Sequence, residues 1–349
     1  MARVVRFADV RQVEVVDEPA PALDPGQVRV RTLATGISAG TELTAYRGTN
    51  PYLNSSWDPE RRIFLPGNEE PGYPLDGWGY SEAGRVLEVA PTDEPERPDD
   101  VAAGDLVWGI WGHRSEAVLA AEKLRGHRLP DDVDPAAATF VRVGSIALNA
   151  VLCADLGVGS SVAIFGQGVI GLIATRLARL NGATVVAVDQ DPVRQETARR
   201  WGADHVLSPA DAPAMRIRDL LGGDGCDVAI ELSGNQAALQ EAIRSVGADG
   251  TVVASGFYQG TGDALRLGEE FHHNRVQLLA SQIGSVPNRL RASWDVNRLQ
   301  RTVASLIASG ALPTAELISH RFELEEAAEA YRLLDRPDEP ILQVILENR

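Results

Sequence analysis

Along the first 130 or so residues, apolar and polar side chains alternate in short runs broken by Gly and Pro: VVRF, VEVVDEP, GQVRVRTLA, GRVLEVA and GDLVWGIW. Alternation with a period of two puts one face of each run inside, so the region is predicted to be all β, closing partly into a barrel. From Arg47 to Gly79 a long turn-rich insertion interrupts the strands, and its two Trp and two Tyr predict an ordered excursion. The segment APTDEPERPDDVAAGD has no aromatics and reads as a solvated surface loop. The period changes after DVDPAAATF. Residues 136–157 are Ala-rich with helical spacing, and then apolar strands (SSVAIF, TVVAVD, DHVL, CDVAIELSG, GTVVASG, VQLLASQ) alternate with helical stretches such as GVIGLIATRLARLNG, DPVRQETARRWG and QAALQEAIRSV. Strands alternating with helices of that length predict βαβ units and a parallel sheet. The last 60 or so residues return to a helix, NRLQRTVASLIASG, a strand, ISHRF, a helix, LEEAAEAYRLLD, and a final strand, ILQVILE.

Composition narrows the function more than the fold. At 349 residues the chain is long enough for two domains. Its formal charge of −16 argues against a nucleic acid partner, which demands clustered cations. Lys123 is the only lysine, which leaves Schiff-base chemistry a single candidate. Cys153 and Cys226 are too few for a disulfide framework or a four-cysteine zinc lobe, and they fit a reducing cytoplasm. No leader segment and no run of about 18 apolar residues is evident, so a cytoplasmic chain with no membrane partner is expected.

The strongest local signal is VAIFGQGVIGLIATRLARLNGATVVAVDQD. Gly166, Gly168 and Gly171, with Gln167, Val169 and Ile170 between them, form G-x-G-x-x-G directly between an apolar strand and a helix. The first Gly permits a tight turn, the second lets backbone approach a pyrophosphate, and the third lets helix and strand pack closely. The next strand ends in Asp189, about 18 residues beyond Gly171, close to the spacing of a carboxylate that binds the adenosine ribose. Its charge would repel a 2′-phosphate, which favours NAD over NADP, with Arg194 the residue able to soften that preference.

With these motifs in this order, the whole chain resembles the medium-chain dehydrogenase/reductase superfamily of the alcohol dehydrogenase type. The resemblance implies an α/β fold: a GroES-like, β-rich catalytic domain from residues 1–142 and 287–349, and a Rossmann domain with a doubly wound parallel sheet from 143–286. It implies substrate in the cleft between them, Ser145, Ser233, Gly256 and Phe257 against the cofactor, and a homodimer. Zinc-dependent members place a Cys after the first Gly-Ile turn, a His in a Gly-His-Glu, and a third ligand just before the Rossmann domain. Here those positions hold Ser38, Tyr80 followed by Ser81, and approximately Val141. None suits zinc, so no metal is expected. The stretches GISAGTEL and YPLDGWGYSEAGRV are similar to a zinc-free branch that includes the bacteriochlorophyllide dehydrogenase type.

Without a metal, a side chain must move the alcohol proton. Tyr80 stands where a zinc-ligand His would be, though it equally fits a packed strand end. His113, in the segment that lines the pocket in the superfamily, has an ordinary pKa suited to proton exchange, and a hydrogen-bonded structural His is the alternative. Of His272 and His273, read as neighbours on a strand, one would enter the site, and His273 is favoured. Glu42 would orient a relay or stabilise the helix that starts beside it. The function expected is NAD-dependent, zinc-independent interconversion of a small polar secondary alcohol, of sugar or cyclitol type, and its ketone. The alternatives are a redox-neutral epimerase or lyase with retained NAD, and an NAD(P)H-dependent enoyl or quinone reductase.

Overall fold

The structure is a computed structural model and describes residues 1–67, 72–92, 97 and 99–348. It divides into two compact units: Met1–Arg142 with Ala304–Arg349, and Val143–Val303. The second boundary falls at Val303, inside the helix Val296–Ala308, rather than at residue 286. The reason is packing: a methyl at Gly144 would lie 2.6 Å from Cγ1 of Val303, so the start of this helix belongs with the Rossmann unit.

The first unit is the GroES-like one, built on a seven-stranded sheet. Its order is Ile318–Glu323, Gln343–Glu347, Gln27–Gly36, Glu82–Val89, Leu106–Gly109 and Arg128–Leu129, with Glu116–Ala120 also paired to Gln27–Gly36. The strand Gln27–Gly36 alternates as its sequence does, with Val28, Val30 and Thr32 inside. Near the C-terminus, Gln343–Glu347 pairs antiparallel with it, Ile345 opposite Gly36. Residues from both ends of the chain thus share one core. Tyr331, on the helix Ala327–Asp335, meets Phe7 edge-on at 5.1 Å and stacks on Tyr46 at 5.7 Å. The insertion after Arg47 is ordered where described: Asn50 caps a short helix, Pro51–Asn54, and a hairpin of Ser55–Asp58 and Ile63–Pro66 sets Phe64 against Tyr52 and Trp57. Residues 93–96 and 98 of the expected surface loop lie outside the described residues.

The Val143–Val303 unit is the Rossmann one. Its six strands are all parallel, in the order His205–Leu207, Thr184–Val188, Ser161–Phe165, Cys226–Glu231, Val246–Ala254 and Gln277–Ala280. Numbered along the chain this is 3-2-1-4-5-6, the doubly wound arrangement whose ligand crevice lies beyond the carboxyl ends of the central strands. Continuous apolar runs such as SVAIF are buried on both faces, as helices covering a parallel sheet require. A helix that the hydrophobic period does not single out, Pro213–Leu220, starts after Ala212 at φ +51°, where Pro213 presets the first turn. One stretch, Pro135–Cys153, is long and apolar enough to cross a membrane, contrary to the expectation from sequence. It is mostly buried, as a core helix is.

Candidate active site

In the Rossmann unit, Gly166 ends the first strand at φ +88°, and a methyl on Gly171 would sit 1.8 Å from the Gly166 carbonyl oxygen. No side chain larger than hydrogen fits there. Around Gly168 the space is open, and this residue begins the helix Val169–Leu180 with no side-chain cap. The first N–H groups of the helix are therefore available to an anion. Val169 and Ile170 are half-exposed beside them. Asp189 ties the loop down, its carboxylate accepting the Gln167 N–H at 2.6 Å and the Asp191 N–H at 2.9 Å. The glycines, the open helix end and the carboxylate at the next strand's tip fit a dinucleotide.

Several residues expected against the cofactor are placed differently. The Gln167 side chain is fully buried, donating to the Ile164 carbonyl and accepting from Thr175, so only its backbone faces the loop. Ser145 is fully buried within its helix and offers no surface to a ligand. Arg194 is half-buried in the first turn of Pro192–Arg200, its N–H donating to Asp191. Ser233 and Phe257 are exposed at the carboxyl edge of the sheet, where a methyl on Gly256 would lie 2.4 Å from the Gly234 nitrogen. A buried carboxylate there carries no motif in the sequence: Glu231 accepts from the Ser233 N–H at 2.8 Å, the Gly234 N–H at 3.1 Å, and the Ser233 and Tyr258 hydroxyls. Burial pushes its pKa upward against these donors.

In the GroES-like unit the strand Gln27–Gly36 delivers Ser38 just past its end, and the start of Glu82–Val89 brings Tyr80 beside it. Their hydroxyls hydrogen-bond to each other. Behind them lies a network that closes only in three dimensions. One Glu42 oxygen accepts the Ser38 N–H at 2.9 Å, and the other accepts from His113 Nε2 at 2.7 Å and from the Tyr331 hydroxyl. His113 Nδ1 lies 2.6 Å from the Thr35 hydroxyl, which donates to Glu82 at 3.2 Å, and Glu82 also accepts the Trp111 N–H at 2.8 Å. Gly79, at φ +110°, must be glycine here, because a methyl would lie 2.8 Å from Glu82 and 2.9 Å from the His113 ring.

Burial opposes a charged His113, but the Glu42 carboxylate, by charge and hydrogen bond, and then Glu82 outweigh it and hold the imidazole pKa above its ordinary value. Burial raises Glu82. Tyr80 is raised by burial, while bonds from Ser38 and Thr41 and the Arg142 charge pull it back.

This geometry corrects two expectations. His113 is fully buried with both ring nitrogens engaged, so it supports the Ser38 loop from behind and does not line a pocket. His272 and His273 lie on a helical turn rather than a strand, and Nδ1 of the exposed His273 bonds the Glu269 carbonyl of that turn. Glu42 sits in the first turn of Glu42–Tyr46 and accepts from His113. The hydroxyls of Ser38 and Tyr80, with buried Val141 nearby in the family pattern, do not fit zinc, which takes thiolate, imidazole and carboxylate. Among the described residues no group of three or more His, Cys, Asp or Glu is placed to hold a metal ion.

Residues 169–297 match the family model described as zinc-binding dehydrogenase. The matched stretch lies within the Val143–Val303 unit. The chain is 29% identical over 326 residues to D-guloside 3-dehydrogenase of Escherichia coli K12, covering 92% of both chains. Among solved structures it resembles a Sinorhizobium meliloti 1021 protein bound to NADP (21% identical, TM-score 0.76, 99% of each chain covered). It also resembles an alcohol dehydrogenase of E. coli CFT073 complexed with NADH (18% identical, TM-score 0.77, 99% of each covered).

Proposed function

We propose that this chain is an oxidoreductase that interconverts a secondary alcohol of a polyhydroxylated, sugar-type substrate and its ketone, using NAD in preference to NADP and no zinc. The observation that carries the reading is the Ser38–Tyr80 hydroxyl pair in the positions of two metal ligands, in a chain that also carries a complete dinucleotide loop. Gly166, Gly168, Gly171 and the helix end at Val169 would hold the pyrophosphate, and Asp189 the adenosine ribose. The nicotinamide, when bound, supplies the hydride acceptor. Tyr80 binds the carbinol oxygen and accepts its proton as the phenol's own proton passes to the Ser38 oxygen and the Ser38 hydroxyl proton leaves to solvent. Glu42 fixes Ser38 through its backbone N–H, and His113 fixes Glu42. The D-guloside relative supports a sugar substrate, and the acidic Asp189 supports NAD.

The test is NADH formation at 340 nm from a panel of methyl glycosides, polyols and cyclitols, with each cofactor, on protein dialysed and assayed for zinc. Turnover with NAD at well under one zinc per chain is expected. Tyr80→Phe should slow single-turnover hydride transfer by about 10²–10⁴-fold, the usual scale of a lost proton-transfer group, without altering the cofactor Kd. Near one zinc per chain, or a Tyr80→Phe loss below threefold, would refute the assignment.

A further inference from the structure

Glu231 ends the strand Cys226–Glu231 directly opposite Phe165, the last residue of the strand that runs into the glycine loop. In the order 3-2-1-4-5-6 these are strands 4 and 1, the neighbours at which the strand order reverses. Glu231 therefore stands at the switch point where a doubly wound sheet opens its crevice. Its carboxylate is fully buried, and each oxygen takes one backbone N–H and one hydroxyl. One accepts both from Ser233, and the other accepts the Gly234 N–H and the Tyr258 hydroxyl. The Glu231 carbonyl accepts the N–H groups of Ser255 at 2.9 Å and Gly256 at 3.0 Å. One residue thus joins the loops that follow strands 4 and 5. These loops have no slack: a methyl on Gly256 would lie 2.6 Å from Glu231 Oε2, and one on Gly234 would lie 3.0 Å from the Phe257 carbonyl oxygen. A methyl on Gly166 would lie 2.8 Å from the Ser233 nitrogen, so a shift of Ser233 is felt at the first glycine of the dinucleotide loop.

We propose that Glu231 is a positioning residue for the nicotinamide half of the dinucleotide. The inference rests on the dinucleotide reading given above. On that reading the glycine loop after strand 1 holds the pyrophosphate, and Asp189, just past the end of strand 2, holds the adenosine ribose. The other half of the cofactor then falls on the far side of strand 1, at the ends of strands 4 and 5, where Ser233, Gly234 and Phe257 stand. Glu231 lies beneath these loops and sets their position. A carboxylate serves because two backbone N–H groups converge on its two oxygens, one on each. A carboxamide keeps one acceptor oxygen and turns its NH₂ toward the other N–H, so a buried backbone donor is left facing a donor.

The experiment uses the full chain as wild type, Glu231→Gln and Tyr258→Phe, each checked by far-UV circular dichroism. NADH is titrated calorimetrically beside adenosine monophosphate, which carries the adenosine and one phosphate but no nicotinamide. Glu231→Gln should weaken NADH at least tenfold and leave adenosine monophosphate within twofold. Tyr258→Phe removes one donor and spares the carboxylate, and should weaken NADH at least threefold with adenosine monophosphate again within twofold. A general loosening of the unit would weaken both ligands alike, so the ratio of the two losses decides. A ratio of at least fivefold in Glu231→Gln supports the positioning role. A smaller ratio overturns it, while NADH binding by wild type leaves the dinucleotide reading standing. Wild type that binds neither NADH nor NADPH overturns both. Should Glu231→Gln fail to fold, Tyr258→Phe decides alone: a ratio of at least threefold supports the role and a smaller one overturns it.

Discussion

Replacing Glu42 by Gln keeps the volume of the buried side chain and removes its charge. Glu42 is fully buried and accepts from Ser38, His113 and Tyr331, so the amide could still take the Ser38 N–H but would leave His113 without its counter-charge. Removing one partner of a buried ion pair costs about 3–5 kcal/mol, and the retained Ser38 bond places the expected loss near the lower end, ~3 kcal/mol. For a unit of this size that is a fall in Tm of about 6–12 °C. The loss should depend on pH. His113 holds its proton more tightly in the fold than its ordinary value of 6.5, so its contribution is complete below that pH and is lost as pH rises through the folded value. Glu82 is raised too, and acts in the same sense from its ordinary 4.5 upward. In the variant, burial acts on His113 with its main opponent gone, which depresses the folded value; the His113 contribution is then lost as pH falls. The gap between wild type and Glu42→Gln should therefore be widest near pH 6 and narrow toward pH 9. Urea unfolding at a series of pH values, followed by the fluorescence of Trp57, Trp78, Trp108 and Trp111 in this unit, measures it. A gap below about 1 kcal/mol at pH 6, or one that widens with rising pH, would refute the charged Glu42–His113 pair.

Asp189→Gly should raise the Kd for NADH at least tenfold, with a smaller change for NADPH, because the substitution removes both the proposed ribose acceptor and the anchor of the Gln167 N–H; fluorescence titration with both cofactors checks this, and an unchanged ratio sinks the assignment. Gly171→Ala forces a methyl to 1.8 Å from the Gly166 oxygen, so the loop must shift and cofactor binding should fall at least tenfold even where the protein still folds. Calorimetric titration with NAD at wild-type strength would show that the loop tolerates the displacement.

What the sequence disclosed and what it hid divide along physical lines. The parallel sheet was legible because its strands are continuous apolar runs, and the glycine loop because each glycine answers a local steric demand. Ser38 and Tyr80 were legible only through the family pattern; their hydrogen bond spans 42 positions, beyond the reach of any local period. The network behind them was hidden for the same reason. Thr35, Glu82 and Tyr331 carry no motif; Thr35 reaches His113 and Glu82, and Tyr331 reaches Glu42, only when five separate segments pack. Burial was hidden as well: Gln167 lies inside the glycine motif and Ser145 was placed by the family pattern, and both side chains are fully buried. The adjacent His272 and His273 follow a helical turn because residues 267–273 wind on before the edge strand Gln277–Ala280 begins.

The bond between Glu42 and Tyr331 joins positions 289 apart in the chain. On a ribosome adding about 5–20 residues per second, the phenol emerges roughly 15–60 s after the carboxylate it must meet. Through that interval the whole Rossmann unit is made and is free to fold, while the β-rich first segment still lacks both the tyrosine that closes its core and the strand Gln343–Glu347 that completes its sheet. The surroundings of the Ser38 loop are thus completed only after the Rossmann unit has been made, and on the proposed reading a nascent chain would bind dinucleotide before it could position an alcohol.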